Sequence, residues 1–420
     1  MKKVIICFLF ISGIVFSQNN LDYYLTAALK NSPVIKEYEN SKFISDLEKK
    51  RVNAENVLPQ MSLSANYQYF PYFNNGGRYV TTNPGPDAIG YDIGITNGGF
   101  YSAQFNIEKN IFNGGMVGAL EEQQDIVAKS QNNNIIFEGH SIRKQVTDQY
   151  LSALQSQMNY KFADETLKNI SDQLSVTAGL VNQGLAKQSD YLLLQVEEGN
   201  QKIEYNKAFA EFKNNLFTLF TLCGITDTQS VVLENVSLTP KPIKGNSKFF
   251  SKYELDSLSV SSQQKIFESK YQPQVRLFFN TGLNAVELQG IQRKFGLSAG
   301  IDFSLPIYDG NQRDITRQQN EISQKTISDY KNYFSIQLQN ERTGALNQLK
   351  SIANNLKQLG DQLKSYKTIL NLKRNEVNQG QISMIEYLTI LKNYIDLSKS
   401  QINTEIEYQT QINNYNYWNW

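Results

Sequence analysis

The sequence predicts a mixed α/β membrane protein in which long coiled-coil α-helices make up most of the mass and four antiparallel strands supply the part that meets lipid. Three observations carry this reading. Four segments of roughly ten residues alternate apolar and polar side chains, as strands of an outer-membrane barrel do. Two stretches of roughly 68 residues keep a three-four step of apolar positions, the spacing of a coiled-coil seam. The whole pattern also occurs twice: "VNQG" begins at Val181 and again at Val377, and the same 196-residue shift carries "NIFNGG" at Asn110 onto "PIYDGN" at Pro306. An internal two-fold repeat follows.

Lys2 and Lys3 precede an apolar run from Val4 to Phe16, with Val15-Phe16-Ser17 at the cleavage position. Residues 1–17 read as a secretory signal peptide, since the run is shorter than the ~20 residues a spanning helix needs. Cys7 lies inside it, and no Cys closely follows the cleavage position to carry a lipid anchor. Cys223 is then alone, which excludes an intrachain disulfide framework. No later segment is apolar enough for a transmembrane helix, so any contact with a membrane falls to strands. The formal charge of +1 removes the electrostatic case for nucleic acid. With 19% charged residues and a mean hydropathy of −0.44, polarity comes largely from Asn, Gln, Ser and Tyr, which suits long wet helices.

The first repeat occupies 18–225: a helix, a β-hairpin over 60–112, and a long helical hairpin with its tip at 181–190. Residues 226–248, with two prolines, link it to the second repeat over 249–420, with a hairpin over 273–308 and a tip at 377–386. In the strands, Met61, Leu63, Ala65, Tyr67 and Tyr69 alternate with Ser62, Ser64, Asn66 and Gln68, and Tyr101, Ala103, Phe105 and Ile107 with Ser102, Gln104, Asn106 and Glu108. Val275, Leu277, Phe279 and Leu283 form one face of the third; Phe295, Leu297, Ala299, Ile301, Phe303 and Leu305 one face of the fourth. An earlier pair of segments, at Leu58 and Gln272, matches at a shift of 214, and the 18-residue surplus falls in the Gly-, Pro- and Asn-rich stretch from Pro71 to Gly99, read as a long exposed loop.

Ile352, Leu356, Leu359, Leu363, Tyr366 and Leu370 form the coiled-coil seam of the second long helix, with Tyr160, Leu167, Ile170 and Leu174 as its counterpart. Each long helix spans ~100 Å, and the two shorter helices of its repeat stack end to end to about the same length. At the tips, Gly184 and Gly380 can take the left-handed conformation that closes a helix. Ser189 or Asp190 is placed to cap the returning helix. Four strands cannot close a barrel, because an open edge in hydrocarbon leaves backbone groups unpaired. Several copies must therefore share one barrel, and this argument admits two, three or more.

The helix "LDYYLTAALKNSPVIK" from Leu21, "VLPQMSLSANYQY", "NIFNGG", "PIYDGN" and the two tips with Asp190 and Glu386 together resemble the TolC family of outer-membrane efflux channels, over essentially the whole mature chain. The resemblance implies a homotrimer sharing a twelve-stranded transmembrane β-barrel, with the helices forming a periplasmic α-barrel. It also implies an equatorial collar made from 226–248 and the C-terminal end. The implied function is a passive exit duct of a tripartite efflux or type I secretion system in the outer membrane of a Gram-negative bacterium. Its partners would be outer-membrane lipid, a periplasmic adaptor (membrane fusion) protein and an inner-membrane pump of RND, ABC or MFS type, with no cofactor. The adaptor would grip the tips: Val181, Asn182, Gln183, Gly184 and Asp190, and Val377, Asn378, Gln379 and Gly380. Relatives pinch the tunnel with two acidic residues just after the second tip. Glu386 matches the first, and Thr389 stands at the second. A ring of Glu386 would repel anions and favour cations. The polar latch residues of relatives fall on Val377 and Ile382, which cannot make those contacts.

Two other classes fit the sequence less well. A trimeric coiled-coil surface adhesin with a β-barrel anchor predicts one strand cluster after one stalk, whereas these strands split into two pairs. A soluble periplasmic hydrolase lacks its inventory: His140 is the one histidine, which leaves a His-dependent triad or multi-His metal site without material. Glu121-Glu122 and Glu197-Glu198 read as solvated helix faces, and "GRYVTTNPGPDAIG" lacks phosphate-cradle spacing. The terminal "NNYNYWNW" reads as collar packing, and Gly139, Gly344 and Ala345 as small positions that let helices approach.

Overall fold

The computed structural model describes residues 20–81, 83–91, 99–226, 231–243 and 245–420. The expected signal peptide lies outside them, as do 82 and 92–98 of the expected loop and 227–230 and 244 of the linker. The elements run α1 (Leu21–Asn31), α2 (Pro33–Val57), β1 (Gln60–Tyr69), β2 (Gly99–Asn113), α3 (Met116–Asn182), α4 (Gln188–Cys223), α5 (Ser251–Ser269), β3 (Gln274–Ala285), β4 (Phe295–Ser304), α6 (Gln312–Asn378) and α7 (Met384–Trp418). Helices α3 and α6 are each 67 residues long. Their ends, and the starts of α4 and α7, are displaced by 196 residues. The chain divides into two compact units, one holding Glu39–Asn133 and Ser251–Lys331, the other the remaining described residues. No described helix is long and apolar enough to cross a membrane.

The single helix expected before Pro59 is two. Pro33 has no N–H to continue a helix, so the chain restarts there with Pro33 at its first position. The Ser32 hydroxyl accepts from the Ile35 N–H at 3.3 Å.

The first unit holds one antiparallel sheet in the order β1-β2-β3-β4. Its register aligns the apolar rows: Met61, Ile107, Phe279 and Ala299 stand abreast, as do Leu63, Phe105, Thr281 and Leu297, and Ala65, Ala103, Leu283 and Phe295. Because side chains alternate with period two, the other face is Ser62, Asn106, Asn280 and Ser298, then Ser64, Gln104, Gly282 and Gly296. Leu63 is 81% and Leu297 74% exposed on the apolar face, and among the described residues β1 and β4 each have one strand neighbour. The Pro71–Gly99 stretch is more built than a plain loop: Phe73 bridges Ile89 and Tyr72 is buried. The helices of this unit are tied mostly by polar contacts. Lys49 meets Asp125 at 3.0 Å, Lys265 meets Glu122 at 2.7 Å, and Glu268 bridges Arg313 and Arg317 at 2.5 and 2.7 Å. Glu121 accepts from Asn53 and Glu198, in the other unit, from Ser171. These carboxylates are therefore ties between helices, not merely solvated. Phe43, Ile44, Ile315 and Ile322 remain exposed.

The second unit has the larger core: Tyr24 of α1, Tyr150, Leu151 and Leu154 of α3, Leu216 and Phe220 of α4 and Ile406 of α7 pack with Leu233 of the linker. Asn31 joins the ends of two helices, donating to the carbonyls of Cys223 at 2.9 Å and Gly224 at 3.2 Å. Residues 231–243 carry no helix or strand, so their backbone needs other partners. Side-chain amides supply them. Gln157 both donates to Leu233 O and accepts from Leu233 N–H. Gln409 accepts from Leu238, Asn416 pairs with Thr239 and Lys241, and Asn419 donates to Lys241 O. The terminal Asn-rich run thus clasps the linker, and His140 is sandwiched between Trp420 (ring centroids 4.0 Å apart) and Tyr417 (4.8 Å). The small-residue expectation holds for Ala345, buried beside Leu349, Ile412 and Tyr415. Within the chain, an added Cβ at Gly344 would meet nothing within 4 Å, and at Gly139 it would make only ordinary contact with Leu29.

Candidate functional site

The two helical tips lie in the second unit and are built alike. Gly184 and Gly380 both adopt φ 71°, a left-handed conformation that L side chains resist. Gly184 N–H donates to Val181 O and Leu185 N–H to Leu180 O, at 3.0 and 2.8 Å. Gly380 to Val377 and Gln381 to Glu376 repeat the pair at 3.1 and 2.9 Å. These bonds satisfy the last carbonyls of α3 and α6, the closing motif that glycine permits. Asn182, Gln183 and Gln379 are exposed, while Val181, Val377 and Asn378 are half-buried. Asn378 accepts from the buried Gln173 of α3 at 2.6 Å.

The return helices differ in their caps. The expected cap from Ser189 or Asp190 does not form: the N-cap of α4 is Lys187, with no side-chain bond, and Asp190 lies in the first turn. Its equivalent in α7 is Ser383, whose hydroxyl accepts from Glu386 N–H at 3.2 Å. A lysine has no acceptor to offer there.

Burial separates the two tips further. Tyr387 and Leu194 are fully buried, and with Met384, Leu391, Ile395, Ile170 and Leu370 they form one apolar cluster against which Val377 and Ile382 pack. Burying one such leucine contributes about 2 kcal/mol. Tyr191, the counterpart of Tyr387, is only half-buried, and Leu192 is 50% exposed. Between the tips runs a groove of about 490 Å³ lined by Leu180, Leu185, Asp190, Ile382 and Met384, with Leu185 67% exposed at its rim.

Glu386 reaches back across the turn to Lys373 at 2.9 Å, and Lys373 also meets Glu376 at 2.9 Å. The carboxylates of Glu386 and then Glu376 raise the ammonium's pKa. The Thr389 hydroxyl is used locally, donating to Ile385 O at 2.8 Å. Sequence reasoning missed Lys373, although a signal exists: it stands seven residues before Gly380 and Glu386 six after, positions an antiparallel helical hairpin brings together.

No protein-family model matches this sequence, and a search of curated proteins finds no match. Solved structures do match. CusC has a TM-score of 0.73 at 12% identity, over 95% of this chain and 92% of its own. The CmeC outer membrane channel of Campylobacter jejuni scores 0.71 at 15%, over 95% and 85%. The outer membrane protein VceC of Vibrio cholerae scores 0.71 at 12%, over 95% and 96%. Helices of this length, a four-stranded sheet and two helical tips thus give the chain the fold of outer-membrane channels.

Proposed function

We propose that this chain is one of three identical subunits of a passive exit duct in the outer membrane of a Gram-negative bacterium, serving a tripartite efflux or type I secretion system. The observation that carries the proposal is the sheet, with one predominantly apolar face, one polar face and two open edges. In hydrocarbon each unpaired edge group costs several kcal/mol, and transmembrane barrels begin at about eight strands. Three copies of four strands make a twelve-stranded barrel with its polar face inward. The exposed Ile315, Ile322, Val196 and Ile203 are then contacts between copies. The equal 67-residue helices, displaced by 196 residues, support an origin by internal duplication.

In this reading a periplasmic adaptor seats in the groove between the tips, and an inner-membrane pump of RND, ABC or MFS type supplies the energy. Glu386 contributes to the periplasmic gate, its charge moderated by Lys373 of its own chain. The apolar cluster around Tyr387 does the holding that polar latches do in relatives. The test is to fractionate cells, extract the protein in detergent, weigh the unheated complex and record it in planar bilayers. Outer-membrane recovery, a mass of three chains and ion conductance are expected. A folded monomer that stays soluble without detergent would sink the proposal.

A further inference from the structure

The polar face of the sheet carries its charge in one band two rows deep. Within the four strands, the residues on that face are Gln, Ser, Asn, Gly and Phe except for Glu108, Arg276 and Asp302. Lys109 stands on the opposite face, abreast of Leu277. Arg276 sits on β3 directly opposite Asp302 of β4, to which it donates at 2.7 Å, and reaches diagonally to Glu108 of β2 at 3.0 Å. Its guanidinium therefore bridges three adjacent strands. Two carboxylates against one guanidinium leave a net charge of −1 per chain. Abreast of Glu108, Phe278 lies over Gly300, where an added Cβ would come within 2.4 Å of the ring, so this aromatic occupies the polar face within the ladder's own rows.

We propose that the Glu108–Arg276–Asp302 ladder is the charge filter of the barrel lumen, and that Arg276 sets which solutes pass by keeping the level close to neutral. The inference rests on the duct reading. With the guanidinium in place, anionic solutes such as carboxylates and phosphates meet a weakly negative ring. Without it they meet two unpaired carboxylates per copy. Charged rings of this kind set selectivity in pores.

Reversal potentials in a salt gradient, together with block by a trivalent cation added to the compartment that the strand loops face, test this in the full-length trimer. The wild type should show a weak cation preference and weak block. Arg276→Gln should raise the cation preference about threefold or more and be blocked at clearly lower concentration from that side. Arg276→Lys should behave as wild type, and Glu108→Gln with Asp302→Asn should turn the preference towards anions. Selectivity and block unchanged in Arg276→Gln and in the double carboxylate variant would overturn the assignment and leave the ladder as a cross-strand tie. So would a strongly anion-selective wild type, whatever the variants do. A wild-type complex that conducts nothing removes the duct itself, a different failure from conduction with unaltered selectivity.

Discussion

Replacing Gly380 by alanine isolates the backbone cost of the tip. An added Cβ at Gly380 would meet nothing within 4 Å, so no collision contributes. What remains is the conformation: φ is 71°, and an L-residue with a Cβ pays about 1–2 kcal/mol to hold it. The local opening equilibrium of the turn should therefore rise roughly 5- to 30-fold. Hydrogen exchange of the Gly380 and Gln381 amides, which donate to Val377 and Glu376, reads that opening directly. Gly380→Asn should lose less, since asparagine tolerates the left-handed region. Gly179 supplies the control, lying inside α3 with space around its Cβ position, so Gly179→Ala should stabilise by about 1 kcal/mol. Equal exchange in wild type and Gly380→Ala would refute the reasoning. The same result for Ala and Asn would show that the side chain's φ preference is not what matters.

Three further outcomes are expected. Asn31→Ala removes both bonds to the end of α4 and should cost about 2 kcal/mol in a denaturant titration; an unchanged midpoint would show that the helix junction holds without it. Leu391→Ala, at a position 5% exposed, should cost about 2–5 kcal/mol and loosen the second tip, while Leu192→Ala, at 50% exposure, should stay within about 0.5 kcal/mol; equal losses by thermal melting would contradict the asymmetry of the tips. Burial, with Lys241, Lys248 and Arg143 nearby, holds the His140 pKa below its ordinary 6.5, although its bond to Tyr417 O works the other way. The unfolded imidazole then takes a proton more readily than the folded one, so stability is full above pH 6.5 and declines as pH falls from there through the folded value. His140→Gln should flatten that part of the pH profile, and an unaltered slope would exclude His140 as its source.

Much of this architecture is legible along the chain. The strand faces were readable because period two assigns each side chain a face without reference to any partner, and the register then aligned Met61, Ile107, Phe279 and Ala299 as one row. The seam through Ile352, Leu356, Leu359, Leu363, Tyr366 and Leu370 was readable for the same reason, and these are buried or half-buried among exposed neighbours on α6. The break at Ser32 was missed because Pro33 at the first position of a helix and Pro33 after its end leave similar local patterns. The cap at α4 was misplaced because Ser189 and Asp190 are good capping types, yet the turn ends at Lys187.

The sequence alone determined where the chain is extended, where it is helical and where a left-handed turn must stand, because each depends on residues a few positions apart. Tertiary structure decided the rest. It chose Tyr387 over Tyr191 for burial, gave Glu386 to Lys373, set Arg276 between two carboxylates from different strands, and wrapped the Asn-rich terminus around residues 231–243. These pairings join groups from 13 to 178 residues apart along the chain. Only the packing of whole helices and strands brings such groups within hydrogen-bonding range.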